Sequence, residues 1–155
     1  MVCYVHTQQK SGSEKMKQNA HQKVGLIATP RTVKTGIYPH KLRQLRPDLH
    51  IVDKATRSLA SMIEEGLFHN KKIMQAMIEH YLSDADFADI DSLILGCTHY
   101  PIIAEDIREY WQKNRTSPLQ VFDSTHTVAE KVKTLLTQRQ LLNPTKESPK
   151  YQCFI

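Results

Sequence analysis

A repeated alternation between short apolar runs and amphipathic helical segments constrains the fold more than any other feature of this sequence. The runs lie at 23–28, 50–55, 92–97 and 119–123, and each is followed by residues with helical spacing. Short runs of this kind are typical of strands buried between helices. The alternation therefore predicts an α/β fold in which helices cover both faces of a parallel sheet.

The spacing of apolar residues predicts where the helices lie and which side chains they bury. The first helix is expected to be interrupted at Pro39, and Asn70 is expected to cap a helix whose buried stripe includes Ile73. The helix that starts at Pro101 is expected to turn Ile102 inward. The predicted helices span about 33–45, 58–66, 71–82, 101–113 and 127–142.

The cysteines and the distribution of charge limit the classes of function. Cys3, Cys97 and Cys153 have no CxxC spacing, and their odd number disfavours a secreted disulfide framework. The formal net charge is +5, but residues 24–142 carry only +1, so no basic stripe suited to nucleic acid is evident. The sequence lacks a membrane-spanning apolar run, and residues 1–10 lack the apolar core of a signal peptide. We therefore expect a reduced, cytoplasmic protein with no nucleic-acid or membrane partner.

The segment after the third predicted strand carries the strongest chemical signal. Gly96 permits a close backbone approach where the strand ends, and Cys97 follows at its tip, where α/β sheets bind ligands. Because Pro101 suits the first turn of a helix, we expect the thiol to precede a helix N-terminus, which favours the thiolate. Thr98 could bind an anion through its hydroxyl and N–H, and His99 could exchange a proton with the thiol. The alternative is a buried structural cysteine beside a surface histidine.

Three further polar residues have both a functional and a structural interpretation. Thr29 and Thr32, spaced i, i+3 at a strand-to-helix turn, could direct both hydroxyls into one pocket, although such a pair more often caps a helix. Glu64, in a Glu-Glu pair, would by itself be typical of a solvated helix end. No two histidines have ligand spacing with a third donor, so His126 is interpreted as structural and no metal site is predicted.

Four segments of the chain resemble motifs of glutamate racemases, in the order in which that family has them. Gly96-Cys-Thr-His-Tyr-Pro101 is similar to the family's second cysteine motif. Residues 24–38 resemble its strand-turn-helix of the form VGxIGTxxTxxSGxY, and residues 61–66 resemble its Glu-Glu-Gly segment. Asp123-Ser124, followed by a helix, resembles its closing strand and helix. The resemblance covers about 24–142 and implies an aspartate/glutamate racemase-like lobe.

The resemblance implies a reaction and a set of roles. Glutamate racemases interconvert L- and D-glutamate for peptidoglycan synthesis with two thiols and no cofactor or metal. By this resemblance Cys97 is one of the two catalytic thiols, His99 assists proton transfer at Cys97, and Thr98 holds the substrate carboxylate. The other substrate-binding residues that the resemblance implies are Thr29, Thr32 and Glu64.

The chain also departs from the family pattern. Ala28 stands where the family usually has Gly, and Thr56-Arg57 stands where Cys-Pro commonly precedes the Glu segment. A larger departure is that the sequence lacks the Ala-Cys-Asn-Thr segment that supplies the family's other thiol, and the Asp-Ser-Gly segment near it. Racemisation needs a base on one face of the α-carbon and an acid on the other. We therefore expect a truncated form with impaired activity when alone.

The expected domain organisation follows from this missing half. Residues 24–118 are expected to form the second lobe, and residues 119–143 the strand and helix that in relatives pack on the first lobe. Residues 1–23 are interpreted as a polar leader and residues 144–155 as a tail. The apolar face of the closing helix should then be exposed, or buried by self-association or by a complementary half.

Three alternatives remain open at this point. The chain could be a non-catalytic remnant that binds an acidic ligand or a complementary polypeptide. It could racemise another acidic amino acid such as aspartate, although relatives of that kind often carry Glu where this chain has His99. A cysteine hydrolase would need a base and an orienting third residue, and only His99 is evident from the sequence.

Overall fold

The computed structural model describes residues 23–143 together with Thr145 and Gln152. The interpretations of Cys3, of Cys153, of the leader up to residue 22 and of most of the tail therefore fall outside the described residues. The strands and α-helices, in chain order, are β1 (Lys23–Ala28), α1 (Pro30–Thr35), α2 (Ile37–Leu45), β2 (His50–Ala55), α3 (Leu59–Glu64), α4 (Lys71–Leu82), β3 (Ser92–Leu95), α5 (Ala104–Asn114), β4 (Gln120–Asp123) and α6 (Ser124–Gln138). Short 3-10 turns lie at Leu67–His69, Ala85–Phe87 and Tyr100–Ile103.

The four strands form one parallel sheet in the order β2-β1-β3-β4. In the central pairs, Ala28 of β1 lies opposite Ala55 of β2, and Ile27 lies opposite Leu95 of β3. Strands β1 and β2 have the predicted bounds, whereas β3 ends two residues before Cys97. The carboxyl ends of β1, β2 and β3 therefore meet at one edge of the sheet, which is where ligands bind in open α/β sheets.

Two buried clusters show that helices cover both faces of this sheet. Helices α3, α4 and α5 pack against Ile27, Leu93 and Leu95 on one face. Leu42 of α2 packs with Leu26 on the other face. Because side chains alternate along a strand, neighbouring residues of β1 serve opposite clusters. The predicted α/β class is confirmed.

The first predicted helix is two helices, and the break lies at Gly36 rather than at Pro39. Gly36 has φ +61°, in the left-handed region that glycine adopts without steric cost, and its N–H donates to the carbonyl of Val33. Pro39 lies in the first turn of α2, where a missing N–H removes no helical hydrogen bond. The predicted interruption at Pro39 is therefore wrong.

Two isoleucines that were predicted to be buried are exposed. Asn70 caps α4 as predicted, because its Oδ1 accepts from the N–H of Ile73 at 3.3 Å, but the Ile73 side chain is 36% exposed at the edge of the stripe. Ile102 is 53% exposed because it lies in the Tyr100–Ile103 turn, whose three residues per turn change its direction relative to an α-helix. The residues of α4 that are buried are Met74, Ile78, Tyr81 and Leu82.

The last strand and helix are covered less completely than the rest of the sheet. Helix α6 begins at Ser124, directly after β4, so it starts earlier and ends earlier than predicted. Phe122 of β4 is 45% exposed and Val132 of α6 is 48% exposed. Val128 and Leu135 are exposed too, and their spacing places them with Val132 on one helical stripe. No helix among the described residues is long and apolar enough to cross a bilayer.

Candidate functional site

The close contact between the ends of β1 and β3 depends on Gly96. A Cβ at this position would lie 2.9 Å from the Cβ of Ala28 and from Cδ1 of Leu26, and 3.2 Å from the carbonyl oxygen of Ile27. The N–H of Gly96 donates to that carbonyl at 2.8 Å. The missing side chain therefore lets the turn that carries Cys97 lie directly against β1.

Cys97, His99 and Glu64 form a line of contacts beside this turn. Sγ of the half-buried Cys97 lies 3.6 Å from Nδ1 of His99. Nε2 of His99 lies 3.0 Å from Oε1 of Glu64, the last residue of α3. When the carboxylate accepts the Nε2 hydrogen, the lone pair of Nδ1 faces the thiol. The expectation that no third residue is placed to orient His99 is therefore wrong.

The predicted threonine pair is in place at the start of α1. Oγ1 of Thr29 and Oγ1 of Thr32 are 3.0 Å apart, and the Thr32 N–H donates to the Thr29 hydroxyl at 3.4 Å. Thr29 therefore caps the helix while the two hydroxyls stay adjacent. Thr29 follows Ile27 by two residues and Cys97 follows Leu95 by two, and Ile27 and Leu95 are register partners. The hydroxyls and the thiol thus belong to neighbouring strand ends.

One expectation about the surroundings of the thiol is wrong. The α-helix after Cys97 begins at Ala104 rather than at Pro101, and the Tyr100–Ile103 turn lies between them. A single 3-10 turn aligns few peptide dipoles, so the macrodipole argument is weak here. Thr98 is exposed between Cys97 and this turn, and its role in carboxylate binding stays a prediction.

Two buried residues near the thiol, Thr56 and Tyr100, are not predicted as site residues from the sequence. Both are fully buried, and their hydroxyls are hydrogen-bonded to each other. Burial raises the pKa of Tyr100 to about 12; the hydrogen bond with Thr56 opposes this shift, and negative charge at Cys97 adds to it. In the sequence Thr56 differs from the family pattern, and a threonine directly after a strand can indicate a buried hydroxyl.

The chemistry available at this site is proton transfer. A thiol, an imidazole and a carboxylate in sequence can pass and hold one proton. Both ring nitrogens of His99 already have a contact, Nδ1 with Cys97 and Nε2 with Glu64. Among the described residues, no group of three or more His, Cys, Asp and Glu side chains is arranged to hold a metal ion.

Comparison with known proteins identifies the family. The model of the family "Asp/Glu/Hydantoin racemase" matches residues 4–132. A glutamate racemase from Thermoanaerobacter sp. (strain X514) is 33% identical over 136 residues, which are 87% of this chain and 50% of that protein. The resemblance to racemases is thereby confirmed. The chain spans about half the length of the curated relatives it matches.

Solved racemase structures share the fold. Glutamate racemase from Francisella tularensis, in complex with D-glutamate, matches with a TM-score of 0.68 and 31% identity over 87% of this chain and 48% of that one. The RacE1 isoform from Bacillus anthracis matches with a TM-score of 0.69 and 26% identity over 86% of this chain and 48% of that one.

Proposed function

The chain belongs to the Asp/Glu/Hydantoin racemase family, and from this premise we propose that it is one half of a glutamate racemase. The reaction is inversion at the α-carbon of glutamate, by removal of the α-proton on one face and delivery of a proton on the other. The observation that carries this proposal is the line of contacts from Cys97 through His99 to Glu64. The relative that is bound to D-glutamate supports the choice of substrate.

Cys97 is the proton-exchanging group in this proposal. The thiol gives its proton to Nδ1 of His99, and Glu64 stabilises the resulting imidazolium through Nε2. The thiolate then takes the α-proton of glutamate and becomes a thiol again. In the opposite direction the Cys97 thiol delivers its proton to the α-carbon, and His99 returns its own proton to the sulfur. Cys97 serves one face of the substrate, and the second thiol belongs to the missing half.

The substrate carboxylate is assigned to the hydroxyls at the strand ends. Thr29 and Thr32 supply two adjacent hydroxyls, and Thr98 supplies a third beside the thiol. Removal of the α-proton spreads negative charge onto the carboxylate, so donors fixed at that place stabilise the transition state. In the same proposal the exposed carboxylate of Glu64, which contacts His99, also faces the substrate ammonium. Positioned thiols and donors replace the electron sink of a cofactor.

The domain organisation proposed here leaves one surface for the missing half. Residues 24–118 form the second lobe with Cys97, and residues 119–143 form the unit that docks on the first lobe. The exposed stripe on α6 and the exposed Phe122 of β4 support this assignment, because apolar surface of this kind is typical of an interface. The physiological role proposed is a cytoplasmic supply of D-glutamate for peptidoglycan.

The test is complementation. The first half of the Francisella tularensis relative is mixed with this chain, and conversion of L-glutamate to D-glutamate is followed by chiral chromatography, with L-aspartate as a competing substrate. We expect turnover from the mixture, none from the chain alone, and none from a mixture with Cys97→Ala, while Cys153→Ala serves as the matched cysteine control. Robust turnover by the chain alone would contradict the split-site proposal, as would a stable but inactive complex.

A second candidate function is thiol-dependent hydrolysis, which the contact between His99 and Glu64 favours. A nucleophile, a base and an orienting third group are the parts that such a reaction needs. The chain alone would then hydrolyse an activated ester such as p-nitrophenyl acetate with turnover, and both Cys97→Ala and Glu64→Gln would lose it. A single burst of acylation without turnover would support the racemase half instead.

A further inference from the structure

A pair of buried hydroxyls ties the ends of β1 and β2 to the 3-10 turn that follows β3. The N–H of Thr56, directly after β2, donates to the carbonyl of Ala28 at 2.9 Å, and the Thr56 hydroxyl donates to the same oxygen at 3.1 Å. The Tyr100 hydroxyl is hydrogen-bonded to the Thr56 hydroxyl and also lies 3.4 Å from the Thr56 carbonyl. Neither side chain is accessible to solvent. Each hydroxyl therefore has two hydrogen-bond partners in an interior that water does not reach, which holds both side chains in one arrangement.

The bonded pair of hydroxyls is connected both to the threonine assigned to the substrate carboxylate and to the turn that carries the thiol. Ala28 directly precedes Thr29, whose hydroxyl is assigned to the substrate carboxylate. The N–H of Tyr100 donates to the carbonyl of Cys97 at 3.2 Å, so the tyrosine also closes the turn that carries the thiol. The path from thiol to threonine thus runs through Tyr100, Thr56 and the end of β1.

We propose that Tyr100 and Thr56 are positioning residues, whose paired hydroxyls fix the Cys97 turn relative to Thr29 and keep the thiol within reach of His99. This inference depends on the proposed function only in taking Cys97 as the reacting thiol. Because both hydroxyls are buried, we assign neither of them a contact with the substrate. Their effect reaches the chemistry through the 3.6 Å contact between Cys97 and His99, which is long enough to be lost if the turn moves.

The test measures the reactivity of Cys97 in the chain alone, with no glutamate present. The rate of alkylation by iodoacetamide is followed across pH by mass spectrometry of the peptide that contains Cys97. Tyr100→Phe and Thr56→Val remove the two hydroxyls with little change of shape. Thr56→Ser keeps its hydroxyl, and Tyr110→Phe makes the same change at another buried tyrosine of the core. Thermal unfolding of each variant reports its stability.

We expect Tyr100→Phe and Thr56→Val to slow alkylation at neutral pH by about threefold, in the range that one net hydrogen bond gives, and to move the rate profile to higher pH. Thr56→Ser and Tyr110→Phe should keep the parent profile. A profile unchanged in Tyr100→Phe, or moved equally by Tyr110→Phe, would overturn the proposal. If Tyr100→Phe fails to fold, the comparison of Thr56→Val with Thr56→Ser tests the proposal instead. A shifted profile with failed complementation would leave the positioning role standing and overturn the proposed function.

Discussion

Helices cover the middle of the sheet and its β4 end to different degrees. At β3, Leu93 and Leu95 are almost inaccessible and belong to the same buried cluster as Ile107 of α5. At β4 and α6, Phe122 and Val132 are close to half exposed. The middle of the sheet therefore has a core of its own, which positions Cys97. The β4–α6 unit instead retains apolar surface that the described residues do not cover.

The largest effect expected from this difference is on stability. Ile107→Ala removes a fully buried side chain from the middle of the sheet and should lower the free energy of unfolding by about 2–5 kcal/mol. Val132→Ala on α6 should change it by no more than about 0.5 kcal/mol. Urea denaturation followed by circular dichroism measures both variants. Equal losses in the two variants would show that α6 is as well packed as α5.

Gly96→Ala should have the next largest effect. The new Cβ would meet Ala28, Leu26 and the Ile27 carbonyl, and overpacking of this kind costs about 1–3 kcal/mol. Adding Ala28→Gly should recover part of the loss, because the Ala28 Cβ is one of the two nearest atoms. The urea midpoints of the single and double variants measure this coupling. A Gly96→Ala variant as stable as the parent would mean that the ends of β1 and β3 lie further apart than described.

Alkaline pH should destabilise the middle of the sheet selectively. Burial raises the pKa of Tyr100 from 10.0 to about 12 and also raises that of Tyr110, whereas residues 119–143 contain no tyrosine. Because the folded-state pKa of Tyr100 lies above its unfolded value, this contribution to stability is complete below pH 10 and is lost as pH rises through 12. The urea midpoint should fall over that interval, and less steeply in Tyr100→Phe. An equally steep fall in that variant would show that ionisation of Tyr100 does not cause the loss of stability.

The smallest effect on stability is expected from a charge on the α6 stripe. Val132→Lys should leave the urea midpoint within error, yet weaken binding of the complementary half by about tenfold, equivalent to roughly 1.4 kcal/mol. Thr134→Lys, on the exposed opposite side of α6, is the matched control and should bind like the parent. Sedimentation velocity measures both association with the half and self-association. Unchanged binding in Val132→Lys would remove this stripe from the interface.

The alternation of strands and helices was sufficient to predict the sheet, because buried parallel strands impose continuous apolar runs. Local geometry was harder to predict: the break at Gly36 depends on one left-handed residue, and Ile102 was misassigned because a 3-10 turn changes the direction of its side chain. The motif segment that contains Cys97 and His99 was sufficient to indicate both residues, because they lie two residues apart in it. The contacts of His99 with Glu64 and of Tyr100 with Thr56 join residues far apart in sequence, so no spacing rule could predict them.

The central claim is that the sulfur of Cys97 exchanges hydrogen with the α-carbon of glutamate, and proton NMR in D2O tests it most directly. L-glutamate and D-glutamate are incubated separately with this chain and the complementary first half, and loss of the α-proton signal is followed. With Cys97 intact we predict exchange of deuterium into the α-position of both enantiomers, and with Cys97→Ala we predict that the enantiomer whose α-proton faces Cys97 no longer exchanges, because only the second thiol remains. Exchange that continues unchanged for both enantiomers in Cys97→Ala would contradict the claim, as would its absence in a complex that forms fully.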